Sequence, residues 1–226
     1  LRAPRACGIL LRVDTGWQQR ANERFRGQGY ADHYEARYKG FVKGTLKHRL
    51  RCAVLGRAFR EVPAGSVVLD IPCGTGRYTD WLLGRGYRVL GADIAAPMIR
   101  IASGKALGAA GVRGWMAADA TRLPLADKSV DAVLTVRLFH LVPNEVRPKI
   151  YRELGRVCRG RLVLCFNCNK WAVKHLGKRI LGRAPEWLMT RKELVRELRG
   201  AGLAVERIHR RGPLFSTFWA VACRPA

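Results

Sequence analysis

Two acids and two glycines in the first half of the chain have the types and spacing to hold a charged organic ligand. Val67-Val68-Leu69 runs into Asp70, the turn Ile71-Pro72-Cys73-Gly74-Thr75-Gly76 follows, and Tyr78 to Leu83 then takes helical spacing. This predicts a buried strand, a tight loop and a helix, and a strand ending there opens the carboxyl end of a sheet to a ligand. Gly74 and Gly76 leave no side chain in the way, so the ligand can lie against the main chain. A dinucleotide loop would have a third glycine where Thr79 stands. Asp70 would also repel a pyrophosphate, but it suits the ammonium group of an amino acid. The loop therefore favours a zwitterionic ligand.

A second acid follows at a matching place. Gly86 to Asp93 reads as the next strand, with Asp93 seventeen positions after Gly76, where a carboxylate can accept both hydroxyls of a ribose. Together with Asp93-Ile94-Ala95-Ala96-Pro97-Met98-Ile99, Ala118-Asp119-Ala120 and Leu123-Pro124-Leu125, these motifs resemble the class I S-adenosylmethionine-dependent methyltransferases, the type 11 group in particular. The resemblance spans about residues 64 to 166. It implies an α/β fold: a Rossmann-like, doubly wound sheet of seven strands, mostly parallel with an antiparallel terminal strand, and helices on both faces.

It also implies S-adenosyl-L-methionine as the cofactor, held by Asp70, Pro72, Cys73, Gly74, Thr75, Gly76, Asp93, Ile94, Met98, Asp119, Ala120 and Val136. In the family's pattern Met98 lies against the adenine, Asp119 accepts from its amino group and Ala120 adds a backbone contact. Pro72 departs from the usual Gly or Ala, and proline fits a turn. Cys158-Arg159-Gly160-Arg161 replaces the usual proline and paired glycines, which leaves the entry to strand five open.

The strand at Val130 to Val136 has the apolar continuity of one buried on both faces. Its tip, Arg137-Leu138-Phe139-His140, faces the transferred methyl in this fold, so Arg137 is a candidate to hold an anionic acceptor and His140 to take its proton. A packed, structural His140 is the alternative. Tyr34 and Tyr38, on an apolar helical face running from Tyr30 through Leu46 and Leu50 to Phe59, are candidates to enclose the acceptor or simply to pack on the sheet.

The other elements read in order. A helix begins at Pro97, Val112 to Ala117 is a weak third strand, Pro143 to Val157 an amphipathic helix and Arg161 to Phe166 the fifth strand. Thr190 and Glu193 have capping-box spacing, and Leu203 to Ile208 and Phe215 to Cys223 form a terminal hairpin. Two domains are expected: a helical cap over 1–62 and the cofactor-binding domain over 63–226, with a basic segment at 167–189 covering the substrate.

The net charge is +25, with 32 Arg and 10 Lys. It divides as +9 over residues 1–62, +5 over 63–158 and +11 over 159–226, so the excess lies on the flanks. An anionic small molecule, a nucleic acid or an acidic membrane surface are the partners that such flanks admit; a generally basic solvated surface is the alternative.

No run reaches the roughly 20 apolar residues of a membrane span, and the start does not read as a signal peptide, so a cytoplasmic protein is expected. The chain opens on Leu1, which admits a fragment of something longer. Seven cysteines, an odd number without framework spacing, fit a reducing compartment; Cys165 and Cys168 form a C-x-x-C, but no second Cys or His pair lies at zinc spacing, so they read as closing a buried strand and no metal is expected. The leading expectation is methyl transfer by direct displacement to a small-molecule or lipid-like acceptor. The alternative is an RNA-binding protein or RNA methyltransferase using the basic flanks.

Overall fold

The computed structural model describes residues 42–106, 108–167, 190–210 and 218–226. The apolar runs form seven strands: β1 (Val67–Asp70), β2 (Arg88–Asp93), β3 (Val112–Ala117), β4 (Val130–Thr135), β5 (Cys158–Asn167), β6 (Leu203–Arg210) and β7 (Phe218–Pro225). Among the described residues the helices are α1 (Val42–Ala58), α2 (Thr79–Leu83), α3 (Ala96–Lys105), α4 (Arg147–Val157) and α5 (Arg191–Gly200). The strands make one sheet in the order β3-β2-β1-β4-β5-β7-β6. All neighbours up to β5 are parallel, and β7 runs antiparallel to both β5 and β6. The chain leaves β1 in one direction for β2 and β3 and returns to its other side for β4, so β1 and β4 flank the switch point where such sheets open a crevice.

Each face of the sheet has its own core. Leu69, Val133, Leu162, Leu164 and Val221 pack with Ile150, Tyr151 and Leu154 of α4 and Leu194 and Leu198 of α5. Val68, Val89, Leu134 and Val163 pack on the opposite face with Val54, Leu55 and Ala58 of α1, the following Phe59 and Leu82 of α2. Burying each large apolar side chain is worth about 1.5–3 kcal/mol, which fixes strand register by fixing which residues face which helices.

Several expectations shift. Leu46 is 57% exposed and does not continue the buried stripe of α1. Helix α4 starts at Arg147 rather than Pro143: Pro148 occupies the first turn, where its missing N–H costs nothing, and Val146 is the N-cap. Strand β5 starts at Cys158, so α4 passes into it without an intervening loop. A register shift there sets Val130 against Cys158 but Ala132 against Arg161, one extra residue on β5. Gly160 permits this, because a Cβ would stand 2.5 Å from the Asp131 carbonyl oxygen. Arg159 clamps the irregularity through its Nε to Asp131 Oδ1 at 2.7 Å. The Thr190–Glu193 capping box forms as expected.

Candidate active site

The carboxyl ends of β1, β2, β3 and β4 gather the acids that the sequence singled out. Backbone bonds extend the sheet past its strands to bind these tips together: Ile71 N–H to Leu134 O at 2.9 Å, Cys73 N–H to Ala92 O at 2.8 Å and Ala118 N–H to Asp93 O at 2.9 Å. Asp70 is 0% exposed, and neither of its carboxylate oxygens has a hydrogen-bond partner. Burial first, and the nearby Asp93 second, push its carboxyl up to about 8. A buried acceptor without a partner is costly and rare. An ammonium group would supply three donors and a charge, so the orphaned carboxylate fits the amino-acid end of S-adenosylmethionine.

Asp93 has a different setting. Its Oδ2 accepts from Gly74 N–H and its Oδ1 from Ala95 N–H, both at 2.9 Å. One side chain thus ties the glycine loop to the start of α3 and keeps a second lone pair on each oxygen, which suits a diol. Burial raises its pKa, opposed by the backbone donors Ala95, Gly74 and Ile94. Gly74 and Gly76 take φ of 55° and 76°. A Cβ on Gly74 would meet nothing within 4 Å, so open space lies where a ligand backbone would pass. Lys105 of α3 donates to Thr75 O at 3.1 Å and secures the loop from below.

Cys73 is buried, and burial, then Asp70 and Asp93, drive its thiol pKa up, the reverse of what a nucleophile needs. Pro72 and Ile94 lie in the loops beside it, Thr75 and Val136 are buried, and Ala120 stands next to Asp119. Met98, Ala95 and Ile101 form a small apolar cluster separate from the two main cores, at the start of α3. Asp119 Oδ1 accepts from Thr121 N–H at 2.8 Å and Thr121 Oγ1–H at 2.9 Å.

At the tip of β4, Arg137 takes φ of 66°, and Leu138 and Phe139 turn inward. Phe139 stacks on Phe166 at 4.7 Å and lies 4.9 Å from Tyr151. His140 is partly buried; burial, then Arg137, lowers its pKa to about 4. Tyr34, Tyr38 and the basic segment from 168 to 189 lie outside the described residues.

Residues that the sequence reading passed over hold this site together. Arg147, fully buried on α4, donates through Nε to Phe139 O at 3.1 Å. Arg156 reaches Leu125 O at 2.8 Å and Asp127 Oδ1 at 2.6 Å, while Glu153 Oε1 accepts from Leu123 N–H at 2.5 Å. These brace the loop that follows Asp119. The i, i+3 spacing of Glu153 and Arg156 was visible in the sequence, but their loop partners were not.

Residues 68–160 match the family model described as a methyltransferase domain. A tRNA (carboxymethyluridine(34)-5-O)-methyltransferase of Arabidopsis thaliana is 32% identical over 163 residues, 70% of this chain and 37% of that protein. A demethylmenaquinone methyltransferase of Thermobifida fusca is 35% identical over 142 residues, 60% of this chain and 56% of that protein. The chain thus spans less than two thirds of these curated relatives' own lengths. The crystal structure of magnesium protoporphyrin IX methyltransferase from Synechocystis PCC 6803 with bound S-adenosylmethionine superposes with a TM-score of 0.69 at 19% identity, covering 95% of this chain and 100% of that one. That likeness carries the fold alone. The central strands, residues 68–160, are thus a methyltransferase domain of the class I S-adenosylmethionine-dependent, type 11 group.

Proposed function

We propose that the protein transfers the methyl group of S-adenosylmethionine to a small-molecule or lipid-like acceptor by direct displacement. The observation that carries this is the fully buried, unpartnered Asp70 beside the glycine loop that Asp93 holds in place. Bound S-adenosylmethionine supplies an electrophilic methyl and its own leaving group. The chain's residues then have to position the acceptor and exclude water. Asp70 takes the ammonium, Asp93 the ribose hydroxyls, Met98 one face of the adenine and Asp119 its amino group. Gly74 and Gly76 leave the loop backbone open.

Arg137 orients an anionic acceptor. His140, neutral at physiological pH, accepts a hydrogen bond from the acceptor's O–H or N–H and receives the proton as the methyl arrives. An oxygen or nitrogen that gains a methyl while still protonated is acidic enough to pass its proton even to so weak a base.

Calorimetric titration with S-adenosylmethionine, S-adenosylhomocysteine and NADH tests the cofactor. Micromolar binding of the first two alone supports the reading, and absence of binding by a folded protein removes it. Labelled methyl transfer to demethylated quinones and porphyrins then tests the acceptor class.

The Arabidopsis relative and the net charge of +25 favour a second reading, methyl transfer to RNA. Incorporation of label into tRNA, with none into the small molecules, would select it.

A further inference from the structure

On the face of the sheet that α1 covers, a cavity of about 290 Å³ lies over β5, β7 and β6, and five arginines line it: Arg57, Arg60, Arg161, Arg207 and Arg224. None of them belongs to the strand tips that form the candidate active site. The remaining lining residues are Glu61, Glu206 and His209, so among the described residues the wall contains no apolar side chain.

A bulge in the edge strand builds this surface. Val205 pairs with Cys223, but Arg207 pairs with Ala222, which makes Glu206 an extra residue on β6. Val205 and Ile208, three apart, consequently both pack against the core shared with α4 and α5. Glu206, Arg207 and His209 are left to the opposite face. Without the bulge, strict alternation would put Val205 and Ile208 on opposite sides of the sheet.

The arginines divide into two groups. Arg161 pairs with Glu61 and Glu206, Arg224 pairs with Glu206, and Arg57 donates to the Arg210 carbonyl oxygen. These contacts make a braced rim. Arg60 and Arg207 are exposed and form no ion pair with the described residues. The surroundings are positive enough that burial, then Arg207, Arg57, Arg161 and Arg60, lower the pKa of His209. Guanidinium groups converging on a concave site whose described lining is polar suit the tetrahedral oxygens of phosphate, which they can bind in bidentate fashion. A bilayer surface would call for apolar side chains among the basic ones, and the described residues of the wall offer none.

We propose that this groove binds phosphate anions, presented by the backbone of single-stranded RNA or by a free nucleoside polyphosphate, with Arg60 and Arg207 as the principal ligands. The site is independent of the cofactor reading and of which acceptor is methylated.

The test is fluorescence anisotropy of the full 226-residue chain with two probes, a labelled single-stranded RNA 12-mer and a labelled ATP analogue, across a salt series. The double variant Arg60→Glu/Arg207→Glu reverses two charges that make no ion pair with the described residues. It should weaken one of the probes at least tenfold while leaving calorimetric S-adenosylmethionine binding unchanged. If RNA is the ligand, loss of two phosphate contacts should lower the slope of log affinity against log salt by about 1.4. The variant Lys192→Glu/Arg196→Glu makes the same charge change on exposed positions of α5 and should alter affinity less than twofold. Loss for RNA identifies the backbone, and loss confined to the ATP analogue identifies the free polyphosphate. Equal weakening in both double variants would mean diffuse attraction to a basic surface and would overturn the proposal, as would binding of neither probe or no change on reversal.

Discussion

Arg147 Nε donates to the carbonyl oxygen of Phe139 at 3.1 Å, so a buried cation at the start of α4 fixes the backbone one residue before His140. Phe139 itself is anchored between Phe166 and Tyr151. The turn bearing the proposed acceptor-binding residues is therefore set by α4 and β5 as much as by β4. Arg147→Met keeps a long side chain in the core but leaves the carbonyl unpaired, a loss of about 1–3 kcal/mol. We expect a lower melting temperature, turnover reduced at least tenfold and S-adenosylmethionine affinity within twofold of the parent. Calorimetry beside a methyl-transfer assay separates these effects, and equal loss of binding and turnover would show that Arg147 supports the whole sheet end rather than this turn.

Asp70 should make the ligand-free protein sensitive to alkali. Its folded pKa of about 8 is raised above the ordinary 3.8, so its contribution to stability is fully present below pH 3.8 and is lost as pH rises towards 8. The slope is at most about 1.4 kcal/mol per pH unit. Asp70→Asn cannot ionise and should flatten the fall in melting temperature between pH 5 and 8. The same linkage appears on binding: an ammonium ligand draws Asp70 into its ionised form and expels its proton. Titrations at pH 7 in buffers of different ionisation enthalpy should report close to one proton released per S-adenosylmethionine bound to the parent protein and none with Asp70→Asn. No release from the parent would sink the pairing of Asp70 with the ammonium.

Two glycines should respond to alanine with opposite signs. Gly74 has φ of 55° and open space around its missing Cβ, so Gly74→Ala carries backbone strain of about 1–2 kcal/mol without a clash inside the fold. The added methyl enters the space proposed for the ligand, and affinity for S-adenosylmethionine should fall at least tenfold. Gly104, inside α3, also has nothing within 4 Å of its missing Cβ, but it has no positive φ. Gly104→Ala should raise stability by about 0.5–1 kcal/mol, because alanine suits a helix interior better. Chemical denaturation and calorimetry on both variants check the pair, and a stabilised Gly74→Ala would contradict the strained loop.

The sequence disclosed the strand ends and their acids, because a both-faces-buried strand is a continuous apolar run and Asp70, Asp93 and Asp119 interrupt such runs where the chain turns. The boundaries of β3 and the capping box of α5 were legible too, from local residue types and spacing. Arg147 was not: in an amphipathic helix, a basic residue near the first turn reads as solvent-facing, and only the tertiary position of Phe139 makes it a buried donor. The bulge at Glu206 showed in the sequence only as a break in alternation, Val205 and Ile208 standing three apart, and such a break does not say which residue is the extra one. The entry to β5 was open because Gly160 could mark a loop or a close backbone approach, and the Asp131 carbonyl decides for the second.

His140 tests whether the β4 turn performs proton chemistry. Its folded pKa of about 4 lies below the ordinary 6.5, so its contribution to stability is present above pH 6.5 and is lost as pH falls towards 4. His140→Gln should therefore lose less melting temperature than the parent between pH 6.5 and 4. The kinetic consequence runs through the same ionisation. A histidine with an ordinary pKa would impose an acid limb on turnover near pH 6.5, whereas this imidazole stays neutral and able to accept a proton well below that. We expect parent turnover to be flat from pH 5.5 to 7.5, with His140→Gln lower by about 10²–10⁴ and equally flat. An acid limb centred near 6.5 that disappears in the variant would place His140 in a more solvated and less positive setting than burial and Arg137 impose. A variant that turns over as fast as the parent would leave His140 as packing for the turn and shift acceptor positioning to Arg137.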